Sequence, residues 1–107
     1  MLLTNTDKIV GRETVETLGL VKGSTIRAKH LGKDIMTGLR HLIGGELKEY
    51  AEMLEEARKL ATANMVKEAE QLNADAIINI RFSTSAILQG AAEILVYGTA
   101  VKLNKEP

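Results

Sequence analysis

Cysteine and tryptophan are absent from this chain of 107 residues. Without cysteine there is no disulfide, no thiolate nucleophile and no cysteine metal site. The single proline, Pro107, is terminal, so no proline-rich linker divides the chain. Aromatics make up 3% of it, as Tyr50, Phe82 and Tyr97. A core must therefore be built from Ile, Leu, Val, Ala and Met, without large aromatic anchors. Lys+Arg and Asp+Glu are both 14, and the formal charge is zero. That balance removes the general electrostatic case for nucleic-acid binding. No apolar run approaches the roughly 20 residues that span a bilayer. The N-terminal MLLTNTDK has neither the basic n-region nor the long apolar h-region of a signal peptide. The expectation is a cytoplasmic protein with neither nucleic acid nor membrane as a partner.

What is present is an ordinary globular mixture, 45% hydrophobic and 26% charged. The length argues for a single domain over residues 1–107. A domain of about 100 residues buries only some two-thirds of its unfolded surface. Apolar surface left over is usually covered by another copy of the chain.

The first third reads as β. Val10, Val15, Leu18, Leu20, Val21 and Ile26 are separated by Gly11, Gly19 and Gly23, a pattern of short strands with tight turns. Gly23-Ser24 reads as a turn into a strand from Thr25. The middle reads as α. Ile35, Met36, Leu39, Leu42 and Ile43 stand at helical spacing after Asp34, and Gly44-Gly45 breaks the pattern. Residues 46–72 carry the strongest helix signal, with Tyr50, Met53, Leu54, Ala57, Leu60, Ala61, Met65, Ala69 and Leu72 in one stripe. Asn73 is a helix stop.

The last third returns to β. Residues 75–82 alternate, and Ala76, Ile78, Ile80 and Phe82 are expected to meet the long helix. Residues 83–90 read as a turn region. In the strand that follows, Ile94, Val96, Gly98 and Ala100 face one way, and Leu95, Tyr97, Thr99, Val101 and Leu103 the other. Both faces are apolar, as in a strand covered on two sides. One helix covers one face of a small sheet, and a second copy is expected on the other.

The chemistry-bearing residues are few. His30 and His41 are the only histidines and form no HxxxH, HxH or HExxH pair. They are the candidate metal ligands, with Glu16 beside them. Glu16 lies inside a β segment, where it either faces solvent or is held by a cation at a subunit contact. Arg40 with Gly44 and Gly45 is the candidate site for a small anion, on backbone N–H groups at the start of the long helix. Glu46 and Glu49 already answer the helix dipole there, and no nucleotide-binding glycine motif is present. The glutamates at 52, 55 and 56 lie on a polar helix face beside Arg58 and Lys59. Ser83, Thr84 and Ser85 have no neighbouring His or acid, and no nucleophile elbow occurs. The sequence points to no catalytic residue, no cofactor and no enzymatic activity. A basic block over residues 22–43 precedes an acidic block over 46–56; the two read first as solvated faces, and alternatively as surfaces that pair between subunits.

Residues 34–45, Asp-Ile-Met-Thr-Gly-Leu-Arg-His-Leu-Ile-Gly-Gly, resemble the "RD…IRD-hydrophobic-GG" signature of the YbjQ-like family. Glu49-Tyr50 with Ala57-Arg58 resembles that family's "Y…L..AR" helix. The stretch Asn73-Ala74-Asp75-Ala76-Ile77-Ile78 resembles its "GANAVV" strand opening, and Tyr97-Gly98-Thr99-Ala100-Val101 its closing "GTAV". Gly19 and Gly23 fall at its glycine-marked positions. The resemblance spans nearly the whole chain. It implies an α+β fold: a dodecin-like β-α-β-β subunit with extra N-terminal strands, one long helix on a small antiparallel sheet, assembled as a ring-shaped homopentamer. The family carries the descriptor "putative heavy-metal-binding" and has no defined activity, so a metal ion enters as a partner through the resemblance. Here His41 replaces the usual Asp or Asn after Arg40, and Glu46-Leu47 replaces a common Arg-Ser. No residue of this chain supplies a soft thiolate.

Overall fold

The computed structural model describes residues 1–28, 45–88 and 91–105. The expected short helix after Asp34, and with it His30, Arg40, His41 and Gly44, lies outside the described residues. The elements are β1 (Leu2–Leu3), β2 (Thr14–Ala28), α1 (Gly45–Gln71), β3 (Ala76–Leu88) and β4 (Ala91–Leu103). The strands form a four-stranded sheet in the order β1-β3-β4-β2, and α1 packs on one face of it. The class is α+β, as read. The sheet is mixed rather than antiparallel, because β1 runs parallel to β3, with Leu2 opposite Ala76 and Leu3 opposite Ile77. A two-residue strand carries no periodicity to read.

α1 spans the expected region, but its buried stripe is narrower. Ala57, Ala61, Met65 and Ala69 are fully buried at a spacing of four, whereas Leu60 (37% exposed) and Leu72 (41%) look outward. Three of the four buried positions are alanine, which brings the helix axis close to the sheet. Gly23 allows that approach. A Cβ there would collide with the backbone of Ala61 and Met65. Gly23 is therefore not a turn, and β2 is one continuous strand of 15 residues instead of several short ones. The second clear use of glycine is Gly19, whose φ of 136° accompanies a register shift against β4. α1 ends as expected at Asn73, whose φ of 60° is left-handed, and Ala74 N–H donates back to Ala69 O at 3.1 Å.

Two further readings of the sequence are corrected. Residues 83–90 do not open as a turn: β3 continues to Leu88, with Ser83, Thr84 and Ser85 opposite Leu95, Ile94 and Glu93. Pairing along β4 overrides their turn-like composition. The facing of β3 is as expected after residue 79, where Ile80 and Phe82 lie on the helix side, and different before it. Ile77 and Ile80 join the helix-side core with Val21, Ile94, Val96 and Ala100, whereas Ala76 and Ile78 lie on the opposite face with Val101 and Leu103. Asn79, at φ 54°, sits in a bulge between Ile78 and Arg81, and the extra residue reverses the alternation.

The second face of the sheet is covered at one end by the chain itself. Val101 is fully buried and Leu103 is 7% exposed, with Ile9 packed against their cluster. A second copy is not needed there. The other end stays open. Leu20 is 68% exposed, Ile26 63% and Tyr97 38%. The fold is long and thin, 57 × 23 × 15 Å, with a radius of gyration of 17.4 Å. A compact domain of this length has a radius of gyration of about 13 Å. No helix among the described residues is long and apolar enough to cross a membrane.

Candidate functional site

Among the described residues, the open half of the sheet is an apolar surface that no other element covers. Register fixes its rows. Ile78, Thr99 and Leu20 stand abreast across β3, β4 and β2, then Arg81, Tyr97 and Lys22, then Ser83, Leu95 and Ser24, then Ser85, Glu93 and Ile26. Leu20, Ile26, Leu95 and Tyr97 supply apolar area, and Lys22, Arg81 and Glu93 supply charge. Arg81 is held at the border: its Nη1 donates to Asn5 O at 2.8 Å and to Ile80 O at 2.9 Å.

The lower boundary is a clasp between the two ends of the chain. Arg12 donates from Nε and Nη2 to Asn104 O at 3.0 and 2.6 Å. Glu13 N–H donates to Asn104 Oδ1 at 2.9 Å, and Asn104 N–H donates to Glu13 O at 2.9 Å. Beside it, Asp75 Oδ2 accepts Leu103 N–H at 2.8 Å, and Lys102 Nζ donates to Asn73 O at 2.8 Å and lies 3.5 Å from Asp75 Oδ1. The Leu103 N–H is the main reason that the Asp75 carboxyl is held below its ordinary range. Partial burial opposes this, and Lys102 assists it. Sequence reading did not find the clasp, because Arg12 and Asn104 are 92 residues apart.

On the helix side, a cleft of about 540 Å³ is lined by Leu3, Thr4, Asn5, Thr62, Ile80, Arg81 and Phe82. A second hollow of about 390 Å³ adjoins it through Thr62 and Phe82 and is walled by Glu55, Arg58 and Lys59. Arg27 is a further residue that the sequence did not single out. It stands opposite Ala92, and its Nε is buried without a hydrogen-bond partner among the described residues.

Of the residues singled out from sequence, Glu16 is exposed and stands opposite Lys102, whose ammonium is turned to Asn73 and Asp75. Gly45 opens α1 at the other end of the fold. Sixteen residues of helix, roughly 24 Å, separate it from Ala61, which packs against Gly23. Glu16 and Gly45 thus do not share a site within one protomer. His30, His41, Arg40 and Gly44 lie outside the described residues, and among those described there is no cluster of three His, Asp or Glu suited to a metal ion.

Comparison with known proteins places this geometry. A family model described as YbjQ, "Putative heavy-metal-binding", matches residues 1–104. A UPF0145 protein of Clostridium novyi is 63% identical over 103 residues, covering 96% of this chain and 99% of the relative. One from Methanosarcina acetivorans is 60% identical, covering 96% and 97%. One from Thermus thermophilus is 54% identical, covering 96% and 90%. A crystal structure from Pediococcus pentosaceus, described as a protein of unknown function in the DUF74 family, superposes with a TM-score of 0.63 over 97% of this chain and 98% of that one. At 17% identity it shares the fold alone. From residue 1 to residue 104, and at more than half of all positions shared with several relatives, the chain belongs to the YbjQ (UPF0145) family.

Proposed function

We propose that this protein is a cytoplasmic homo-oligomer, a ring of five chains, with a binding or scaffold role and no enzymatic activity. The observation that carries the reading is the open half of the sheet. Leu20, Ile26 and Tyr97 are exposed on one continuous face, although the opposite face of the same strands is packed under α1. A small soluble monomer rarely presents such a patch, and a symmetric assembly covers it. The elongated protomer supports the same reading, since a ring lets neighbours supply the contacts that a compact shape would supply internally. Sedimentation and native mass measurement at micromolar concentration test it. Five chains, or a multiple of five, are expected. Ile26→Lys and Leu20→Lys should lower that number while the circular dichroism stays unchanged. A folded wild-type monomer overturns the reading.

A second reading is metal binding, favoured by the descriptor of the family model. His30 and His41 would be the ligands, with Glu16, which is exposed at the far end of β2, joining only from another copy. Titration with zinc, copper and nickel is the test, and affinity unchanged by His41→Ala removes this reading. Anion binding around Arg40, Gly44 and Gly45 has one supporting observation, the Nε of Arg27 on the helix side of the sheet, which has no hydrogen-bond partner among the described residues. Phosphate-ester binding that survives both Arg40→Ala and Arg27→Ala excludes it.

A further inference from the structure

β3 has an undefended edge. Its first half is paired on the outside by the N-terminal segment, through Thr4 N–H to Ile77 O, Asn79 N–H to Thr6 O and Ile80 N–H to Thr4 O. There β1 and its extension turn away. Residues 81–87 are all exposed, and among the described residues nothing pairs with their outer side. Natural sheets protect such edges with lysine, proline, a bulge or an inward charge. Residues 82–88, Phe-Ser-Thr-Ser-Ala-Ile-Leu, contain no charge, no proline and no glycine. Phe82 is 51% exposed and Ile87 49%. The sheet's opposite edge shows what protection looks like here. β2 carries Glu16, Lys22, Arg27 and Gly19 at φ 136° along its length, whereas in β3 the Arg81 charge and the two register shifts, between Ile78 and Arg81 and between Ala86 and Leu88, flank residues 82–86 and leave them regularly paired with β4.

We propose that the outer edge of residues 82–86 in β3 pairs antiparallel with the same edge of a second copy, about a two-fold axis at Thr84. The phase of the strand sets the register. Ile80 N–H points outward to Thr4 O, so strand alternation turns the N–H and C=O groups of Phe82, Thr84 and Ala86 outward as well. Antiparallel pairing on a two-fold through Thr84 then sets Thr84 opposite Thr84, and Phe82 opposite Ala86 of the second copy. Each of these pairs exchanges two backbone hydrogen bonds. On the helix side the large Phe82 meets the small Ala86. On the other side Ser83 meets Ser85. No like charges are opposed, which an edge bearing lysine or glutamate could not offer to its own copy. Such an isologous contact closes on itself. It is separate from the open sheet face, so it would join two assemblies built through that face.

The chain lacks cysteine, which makes the register directly testable. Opposed residues of a hydrogen-bonded antiparallel pair have Cα atoms about 5.5 Å apart, within disulfide range. Position 86 lies roughly 13 Å of strand from position 86 of the other copy. Thr84→Cys should therefore crosslink two chains under diamide, and Ala86→Cys alone should not. Thr84→Pro removes one outward N–H without touching the β3·β4 ladder, and it should halve the native mass. In the wild-type protein, the amides of Phe82, Thr84 and Ala86 should exchange slowly with deuterium. Rapid exchange there, or crosslinking that is absent or indifferent to position in folded variants, overturns the edge contact. A wild-type ring of five with fast-exchanging edge amides sinks this inference alone. A species of only two chains, crosslinked at position 84, upholds it and sinks the ring.

Discussion

Asp75 Oδ2 accepts the backbone N–H of Leu103 at 2.8 Å, and with the Asp75 N–H to Val101 O bond at 2.9 Å it ties the start of β3 to the end of β4 across 28 residues of sequence. It lies at the foot of the sheet, beside the left-handed Asn73 that ends α1. Helix stop, strand start and chain end therefore converge on one carboxylate.

The carboxyl of Asp75 is held below its ordinary range, first by the Leu103 N–H and then by Lys102, against the opposing effect of burial. A carboxyl whose pKa is lower in the folded than in the unfolded state contributes stability that is present above the unfolded pKa. That contribution is lost as pH falls through the folded pKa. Asp75→Ala should therefore lower Tm more at pH 7 than at pH 3. Thermal melts of wild type and variant across that range check this, and a Tm difference independent of pH counts against it.

The glycine contacts give an ordering. A Cβ at Gly23 meets helix backbone, which cannot swing aside, whereas at Gly98 it meets Ile77 Cγ2 at 2.7 Å, Ile78 O at 2.9 Å and Ile80 Cγ1 at 3.1 Å. Two of those three are side-chain atoms with some freedom. Gly23→Ala should cost about 3 kcal/mol or more and Gly98→Ala about 1–3 kcal/mol, as overpacked cores do. Urea unfolding of the pair decides, and equal costs would show that α1 can lift from the sheet.

The helix stripe yields a paired prediction. Met65 is fully buried and Leu60 is 37% exposed. Met65→Ala should cost about 2–5 kcal/mol, whereas Leu60→Ala should stay near 1 kcal/mol or below. Chemical denaturation measures both. A large loss at Leu60 would mean that another chain covers it.

How far the sequence could be read follows from which signals are local. The bounds of α1 and its stop at Asn73 were legible, because periodicity and capping act within a few residues. The two faces of β4 were legible for the same reason, and Ile94, Val96 and Ala100 do form the helix-side core. Gly23 was misread, since a glycine demanded by a helix passing overhead looks the same as one demanded by a turn. The facing of Ile80 and Phe82 was legible and that of Ala76 and Ile78 was not, because one bulge at Asn79 inverts an alternation that is otherwise regular. The cover over Val101 and Leu103 was missed because it comes from the far end of the chain. Of the candidate site, the apolar excess of the sheet was visible in the pattern of β4. Its restriction to the upper half was not.

The clasp that limits that open surface makes the last prediction. Arg12 reaches Asn104 O with two donors, while Asn104 also exchanges bonds with the backbone of Glu13. Arg12→Ala removes a charged donor pair and should cost about 1–2 kcal/mol, near the low end for hydrogen bonds to charged groups because the site is partly solvated. Asn104→Ala keeps the Asn104 N–H to Glu13 O bond and the carbonyl that Arg12 uses, and it loses only the neutral Oδ1 acceptor of the Glu13 N–H, so its cost should be smaller. The consequence reaches beyond stability. Loosening residues 8–13 uncovers Val101 and Leu103, which are buried with Ile9 against their cluster. In Arg12→Ala the amides of residues 101–103 should exchange faster than in Asn104→Ala, and dye binding to exposed apolar surface should rise. If the two variants exchange alike, the N-terminal segment is held by its apolar contacts and not by the guanidinium.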